Sequence, residues 1–399
     1  MVRNRGDKEE IDRLSGTCIR DSSVRIVRIV ACLVIFVTGV VVGLISGSHV
    51  DRYFASRASS SSFYRGIAVS PSSSTDCGIV RLVSERTDCL CIDNVVNPNA
   101  WDHSLSDEEL FWKASMVPKI RVYPYRRVPK VAFMYLTRGA LPFLPLWERF
   151  FLRHEGLFSI FVHTPPGYCF NVSSDSVFYG RQIPSQKVSW GSVSLTDAER
   201  RLLANALLDF SNERFVLLSE SCIPVYDFQT VYDYLTGSKH SFVESYDDPS
   251  RYGRGRYSRR MLPDIRLHQW RKGSQWFELN RALAIPLIAD TKYYPLFRKY
   301  CKPSCYPDEH YFPTYLNMFH GRENANRTVT WVDWSLGGPH PASFGRENIT
   351  ASFIESIRNN GTQCPYNFDT TYVCHLFARK FAPSALEPLL NLSLTVMGF

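Results

Sequence analysis

Asp308 and Glu309 form an acidic pair at the start of segment 309–319, which is predicted to be helical. A carboxylate in this position can act as a general base that takes a proton from a hydroxyl group. The same pair also suits a helix start for electrostatic reasons, because acidic residues compensate the helix dipole. On this segment alone, dipole compensation is the commoner explanation. Asp308 is better suited to capping the helix or orienting its neighbour than to reacting.

Basic residues elsewhere in the chain could bind an anionic group. Arg379 and Lys380 are adjacent, and they could stabilise a negatively charged leaving group or form an ordinary solvated pair. Glu244 precedes the run 251–257, which contains only arginine, tyrosine and glycine. That run could bind hydroxyls and acidic groups, or it could be an exposed glycine-rich loop. Both alternatives stay open at this point.

The acidic residues do not indicate a metal site. The chain contains no Asp-x-Asp motif, and the adjacent carboxylates of Asp247 and Asp248 would point in different directions on an extended backbone. A turn would bring them together, so the missing motif suggests, without deciding, that no divalent cation is used.

The elements that must position these residues have the pattern of an α/β domain with parallel strands, since short apolar runs alternate with amphipathic stretches. A capping box at Thr196 to Glu199 is predicted to open a helix that runs to Phe210. The turn 219–224 follows a strand, at the edge where open α/β sheets bind ligands. Strands are predicted over 131–136, 158–162, 214–218 and 275–279, and further helices over 144–154, 281–289 and 309–319.

The segment 29–47 has no charged residue and is long enough to cross a membrane as a helix. A buried helix and a cleavable signal peptide are the alternatives, but the segment lacks a polar face and no small-residue cleavage site follows it. We therefore predict a retained signal anchor. The basic residues within 1–28 place that tail in the cytosol, with 48–124 as a lumenal stem and 125–399 as the main domain.

Cysteines and glycosylation sequons agree with a lumenal location. Nine of the 11 cysteines follow the predicted anchor, and their odd number leaves a thiol free or paired between chains of an oligomer. The formal charge of +8 does not indicate a nucleic-acid partner, because basic and acidic residues are interspersed along the chain. The sequons also follow the anchor, and they begin at Asn171, Asn326, Asn348, Asn360 and Asn391.

Six blocks in order resemble the core-2/I-branching β-1,6-N-acetylglucosaminyltransferase family, and specifically its plant branch. The acidic pair lies in one of them, as Tyr-Pro-Asp-Glu, and the Arg-Lys pair lies in another, as His-Leu-Phe-Ala-Arg-Lys-Phe. The resemblance covers about residues 128–399, and the blocks are 130–151, 188–209, 215–225, 273–281, 305–314 and 374–381.

The resemblance implies an α/β, Rossmann-like fold of the A type of glycosyltransferases, with a mixed, mostly parallel sheet that binds a UDP-sugar at the carboxyl ends of its strands. It implies inversion at the anomeric carbon without a metal ion, with Glu309 as the catalytic base. Lys380, assisted by Arg379, would stabilise the departing UDP. Trp190 and Gly191 fall in the donor-side loop.

For the acceptor glycan, the resemblance implies contacts from Glu244, Arg251, Arg254 and Trp331. The animal enzymes carry an aromatic residue where Asp333 stands, so the acceptor is left open, and the donor sugar is N-acetylglucosamine-like or glucuronic acid. The expected protein is a Golgi type II membrane enzyme that acts in the synthesis of cell-wall polysaccharide, arabinogalactan or glycoprotein. The alternative is a non-catalytic lumenal protein on the same scaffold that binds glycans or assembles with another transferase.

Overall fold

The computed structural model describes residues 105–119, 122–123, 127–302 and 305–399, together with Leu33 and Val37. The predicted tail, the rest of the predicted anchor and most of the predicted stem lie outside these residues. Within them, no helix is both long enough and apolar enough to cross a membrane. The chain divides into two units after Glu85, and every helix and strand given below belongs to the second.

The main sheet has four strands in the order β2-β1-β3-β5. β1 pairs in parallel with both β2 and β3, and β5 is antiparallel to β3, so the predicted mixed and mostly parallel sheet is confirmed. The nine strands in the described part of the chain are β1 Lys130–Leu136, β2 Phe158–His163, β3 Asn212–Ser219, β4 Ile223–Pro224, β5 Glu278–Asn280, β6 Thr330–Val332, β7 Cys364–Tyr366, β8 Asp369–Thr371 and β9 Phe377–Arg379.

Helices lie between the strands as the sequence predicts, although some of their ends differ. The predicted capping box at Thr196 is wrong, because α3 begins three residues earlier and Ser192 caps it. Thr196 and Glu199 are instead buried inside the helix. The α-helices of the described residues are α1 Asp107–Ala114, α2 Leu144–Phe151, α3 Val193–Leu207, α4 Phe228–Gly237, α5 Arg281–Ala289, α6 Tyr293–Tyr300, α7 Pro307–Phe319, α8 Ala351–Asn359 and α9 Leu386–Leu392.

Two buried apolar clusters cover the two faces of the main sheet. Side chains alternate along β1, so that Ala132 and Met134 lie in one cluster while Val131, Phe133 and Tyr135 lie in the other. Helices α1, α3, α5, α6 and α7 contribute to the first cluster, and α2, α4, α8 and α9 contribute to the second. The result is a three-layer α/β/α body whose strands β1, β2 and β3 end at a common edge.

A second sheet, in the order β4-β9-β6, extends this edge. β4 follows the turn after β3, and its Ile223 pairs with Ala378 of β9. Trp331 of β6 pairs with the same alanine from the other side. The small sheet therefore carries the Arg379-Lys380 segment to the carboxyl end of β3.

Helix α1 lies within the region that the sequence assigns to the stem, yet it packs on the α/β body. Leu110 and Ala114 are buried in the first cluster, and a capping box involving Ser106 and Glu109 starts the helix. Asp107 forms an ion pair with Arg201 of α3, with 2.5 Å between the closest atoms. The folded body thus begins before residue 125.

We expect Leu110→Ala to lower the free energy of unfolding by about 2–5 kcal/mol, because it leaves a cavity under α1. The matched control is Trp112→Ala on the same helix, where the side chain is 68% exposed and the cost should stay below about 0.5 kcal/mol. Chemical denaturation of the full-length protein measures both. Equal stability of the two variants would show that α1 does not belong to the folded body.

Candidate active site

Glu309 lies in the first turn of α7, which starts close to a disulfide. Cys301 and Cys305 are bonded to each other just before the helix. Tyr306, the N-cap residue, has a left-handed backbone with φ 55°, and Pro307 occupies the first turn, where its missing N–H costs no hydrogen bond. These features fix the direction in which the Glu309 side chain leaves the helix.

Two cations hold the Glu309 carboxylate. Its Oε2 atom lies 2.7 Å from Arg256 Nη1 and 3.5 Å from Lys272 Nζ. The Glu309 side chain is 21% exposed, so solvent or a ligand reaches it. The sequence did not single out either cation, although Arg256 belongs to the basic run that it did identify.

The two arginines predicted from that run have other partners. Arg254 donates from Nε to Asp247 Oδ1 at 2.8 Å. The Arg251 guanidinium lies 4.7 Å from the centre of the Tyr252 ring. Both arginines are exposed, and of the three only Arg256 forms an ion pair with Glu309. The predicted role of Arg251 and Arg254 in acceptor binding stays a prediction.

Glu244 approaches the same helix through a close backbone contact at Gly273. The Gly273 N–H donates to the Glu309 carbonyl at 2.9 Å. A Cβ atom on Gly273 would lie 1.8 Å from the Glu244 carbonyl oxygen and 2.9 Å from Pro313 of α7. Burial raises the pKa of the Glu244 carboxyl, while the nearby Lys272 ammonium opposes that rise. Glycine at this position therefore allows Glu244 and Glu309 to lie on adjoining segments.

Asp308 points into the interior, where it lies near Glu199 of α3. Burial, followed by the charge of Glu309, raises the pKa of Asp308 to about 7. Asp308 does not cap the helix, since Tyr306 occupies the N-cap position. Burial, followed by the charge of Asp308, raises the pKa of Glu199 well above its ordinary value. Glu199 entered the sequence analysis only as part of the predicted capping box, which is wrong.

Trp190 and Gly191, predicted for the donor-side loop, lie beside the start of α7. The Trp190 ring centre is 5.2 Å from that of Tyr306 and 5.4 Å from that of His340. Trp190 is 61% exposed, and Gly191 has φ 68°, which favours glycine. Since the Arg256 guanidinium lies 4.0 Å from the centre of the Tyr306 ring, Trp190 is connected to Glu309 by three contacts, through Tyr306 and Arg256.

A second group of charged residues lies at the carboxyl ends of β1 and β3. Arg138 follows β1 and forms an ion pair at 2.7 Å with Glu220, which follows β3. Burial, together with the charges of Arg138 and Arg379, lowers the pKa of Lys380. The mutual repulsion of three cations beside a single carboxylate favours an anion at this edge. Arg138 and Glu220 were not predicted, although both lie in or beside blocks of the resemblance.

The segment 272–276 connects the two charged groups. Lys272 binds Glu309 at one end of it, and the Trp276 ring lies 4.0 Å below the Arg379 guanidinium at the other. Between them, Gln275 donates a hydrogen bond to Glu199 at 2.8 Å. One short stretch of backbone therefore contacts Glu309, Glu199 and Arg379.

Trp331, predicted to stack on an acceptor sugar, is half-buried on β6. Its ring centre lies 5.6 Å from that of Phe344 and 6.0 Å from that of Phe353. The next residue, Val332, pairs with Arg379 of β9, so β6 lies beside the strand that carries the Arg379-Lys380 pair. Stacking on a sugar stays a prediction.

All five predicted glycosylation asparagines are exposed, namely Asn171, Asn326, Asn348, Asn360 and Asn391. The sequon at Asn391 differs from the others, because its Ser393 is fully buried and donates to the Leu390 carbonyl.

Cys364 and Cys374 form the second disulfide of the described residues, in which Cys169 and Cys222 are free.

No group of three or more His, Cys, Asp or Glu side chains within the described ranges is arranged to hold a metal ion. Asp247 and Asp248, the adjacent carboxylates discussed above, have partners close to them in the sequence. Asp247 pairs with Arg254, and Asp248 Oδ1 accepts from the Ser250 N–H at 2.8 Å.

Comparison with known proteins defines the class to which this site belongs. The family model described as "Branch: Core-2/I-Branching enzyme" matches residues 131–358, which is more than half of the chain. A relative from Oryza sativa subsp. japonica, "Glycosyltransferase BC10", is 37% identical over 311 residues, covering 66% of this chain and 77% of that protein. Together with the mostly parallel sheet, these matches define a glycosyltransferase, an enzyme that takes a sugar donor and a glycan acceptor. The chain belongs to the plant branch of the Core-2/I-branching enzyme family.

We expect Gly273→Ala to destabilise the protein by about 1–3 kcal/mol, because the new methyl group overlaps the Glu244 carbonyl. The matched control is Gly321→Ala, where nothing lies within 4 Å of the added Cβ atom. Thermal unfolding of the two variants measures the difference. If Gly273→Ala unfolds at the same temperature as the control, the close approach is not a constraint on the fold.

Proposed function

We propose that the protein is an inverting glycosyltransferase that needs no metal ion and moves a sugar from a UDP-sugar to a glycan hydroxyl. One observation carries this proposal: a partly exposed carboxylate, Glu309, is held by two cations on a segment that also reaches the cationic edge of the parallel sheet. A base and an anion-binding edge are the two parts that an inverting transfer needs.

In the proposed reaction the acceptor oxygen attacks the anomeric carbon from the face opposite the diphosphate. The new bond joins that oxygen to the anomeric carbon, and the bond between the anomeric carbon and the diphosphate oxygen breaks. Glu309 receives the hydroxyl proton, and UDP leaves with the bonding electron pair. Arg256 and Lys272 orient the carboxylate for this transfer, because both bind the same oxygen, Oε2, and leave Oε1 for the acceptor.

The charge on departing UDP is proposed to be stabilised by Lys380 and Arg379, with Arg138 as a third cation. Arg138 is 78% exposed and pairs with Glu220, so it can turn from that carboxylate to a phosphate oxygen. The Arg379 guanidinium packs over the Trp276 ring, and a cation already positioned in this way suits electrostatic stabilisation. This concentration of cations, and the lack of an Asp-x-Asp motif in the sequence, support a transfer that needs no divalent cation.

The donor sugar is proposed to be N-acetylglucosamine-like or glucuronic acid. Trp190 offers an exposed ring beside Tyr306 for sugar binding near the base. Glu244, Arg251, Arg254 and Trp331 are proposed for the acceptor glycan, which belongs to cell-wall polysaccharide, arabinogalactan or glycoprotein.

We further propose that the enzyme is a Golgi type II membrane protein anchored by segment 29–47. The uncharged apolar sequence of that segment, the basic residues before it and the exposed sequon asparagines after it support this location.

Glu309→Gln should abolish sugar transfer, with a loss of about 10²–10⁴-fold in turnover, while UDP binding remains near that of the wild type. The matched control is Glu355→Gln, which changes an exposed carboxylate on α8. A screen of UDP-sugar donors with full-length protein, followed by transfer assays of both variants, makes the measurement. A Glu309→Gln variant with unchanged transfer would contradict the assignment of the base.

Lys380→Ala should weaken UDP binding at least about tenfold, because it removes a charge-assisted contact worth about 1.5–3 kcal/mol. Lys299→Ala, at an exposed lysine of α6, is the matched control and should bind UDP normally. UDP binding is measured by calorimetry. Sugar transfer is then assayed with and without a chelator, and transfer that requires added manganese would overturn the metal-independent mechanism.

A further inference from the structure

Glu199 and Asp308 are two carboxyl groups buried where α3 packs on α7. Glu199 has no exposed surface, and Asp308 is 6% exposed. Gln275 donates to Glu199 Oε1, but Glu199 Oε2 and Asp308 Oδ1 are both buried without a hydrogen-bond partner among the described residues. Buried carboxyl oxygens normally have a donor, and the side chains around this pair do not supply one.

The surrounding charges do not favour two carboxylates at this point. Arg256 and Lys272 are the cations that act on Asp308, and both are bound to Glu309. The charge of Asp308 acts on Glu199, whose Oε1 atom accepts a hydrogen bond from the neutral amide of Gln275. Two like charges in a poorly solvated interior repel strongly, and the ordinary solution is that one of the two groups keeps a proton.

We propose that Glu199 is a positioning residue of the catalytic site, which keeps a proton and donates it to the Asp308 carboxylate. The two groups then carry at most one negative charge between them. The shared proton also supplies the donor that Glu199 Oε2 and Asp308 Oδ1 lack. Sharing it fixes Asp308 at the start of α7, directly beside the base.

The effect on catalysis rests on the proposed role of Glu309 as the base. Arg256 and Lys272 bind the Glu309 carboxylate, whereas an Asp308 anion at the preceding position repels it. A proton donated by Glu199 stabilises that anion. Without the donor, Asp308 takes up a proton of its own, and only the two cations act on Glu309.

Infrared difference spectroscopy of the full-length protein at a pH of about 8 tests the protonation directly. We expect the wild type to show the carbonyl band of a protonated carboxylic acid, shifted in heavy water, and we expect Glu199→Gln to lose it. Glu309→Gln should retain the band whether or not it transfers sugar. A band that persists unchanged in Glu199→Gln, or that the wild type lacks, overturns the proposal. Loss of transfer in Glu309→Gln tests the proposed function separately.

The pH dependence of thermal unfolding provides a second test. The folded-state pKa of Asp308, about 7, exceeds the value of about 4 in an unfolded chain, so its proton contributes stability below pH 4 that is lost as the pH rises to 7. Glu199→Leu and Glu199→Gln both remove the contribution of the raised pKa of Glu199 itself, so these two variants are compared with each other. Glu199→Leu lacks a donor, and the upper end of its window should lie at a higher pH than in Glu199→Gln, which keeps an N–H donor.

The control for this second test is the double variant Glu199→Gln and Asp308→Asn, which should lack the window altogether. In transfer assays, Glu199→Leu should lower turnover more than it changes the Michaelis constant, and Glu199→Gln should restore turnover. Identical pH windows in Glu199→Leu and Glu199→Gln would contradict the proposal. A Glu199→Leu variant that does not fold leaves the infrared comparison of Glu199→Gln as the deciding measurement.

Discussion

The close approach of Gly273 to the Glu244 carbonyl is the constraint on which the rest of the site depends. It joins three segments that are distant in sequence: the stretch after the bridge at Phe242, the segment 272–276 and the first turn of α7. Because Gly273 has no side chain, these segments approach closely enough for the Gly273 N–H to donate a hydrogen bond to the Glu309 carbonyl. Lys272 is then within reach of Glu309, and Trp276 lies under Arg379. Small movements at this one position would therefore disturb both charged groups.

Local sequence patterns predicted the parts of the fold that local forces determine. The apolar runs of β1, β2 and β3 and the helix at 281–289 lie where their hydrophobic patterns indicate. Each of these segments buries either one face or its whole length, and either kind of burial leaves a pattern in the sequence. The capping box at Thr196 is wrong because contacts distant in sequence decide where that helix begins. Its residue types suit a helix start, but Ser192 occurs one turn earlier, and the burial of Glu199 against α7 overrides the local preference.

The candidate site was predictable only where a motif marks it. Glu309 and the Arg379-Lys380 pair lie in recognisable blocks, whereas Arg256 and Lys272 lie outside the blocks. Arg138 and Glu220 lie within blocks, but their importance comes from the contact between them. Arg254 shows the limit clearly. It has the same residue type as Arg256 and lies two positions away, yet the turn that contains both directs Arg254 to Asp247 and Arg256 to Glu309. The direction in which the folded turn points each side chain cannot be read from composition or spacing.

The pairing of β4 with β9 has a consequence for how the enzyme becomes competent. Ile223 and Ala378 are neighbours in the small sheet although a long stretch of chain separates them, and this pairing brings Arg379 and Lys380 to the edge of β3. Long-range pairings form slowly, because the entropy lost in closing a long loop precedes the gain from the contact. Arg379 and Lys380, the cations proposed for the leaving nucleotide, are therefore expected to reach this edge late in folding. Under that proposal, nucleotide binding is a stringent test for complete folding, and misfolded or half-folded chains should not compete for the donor.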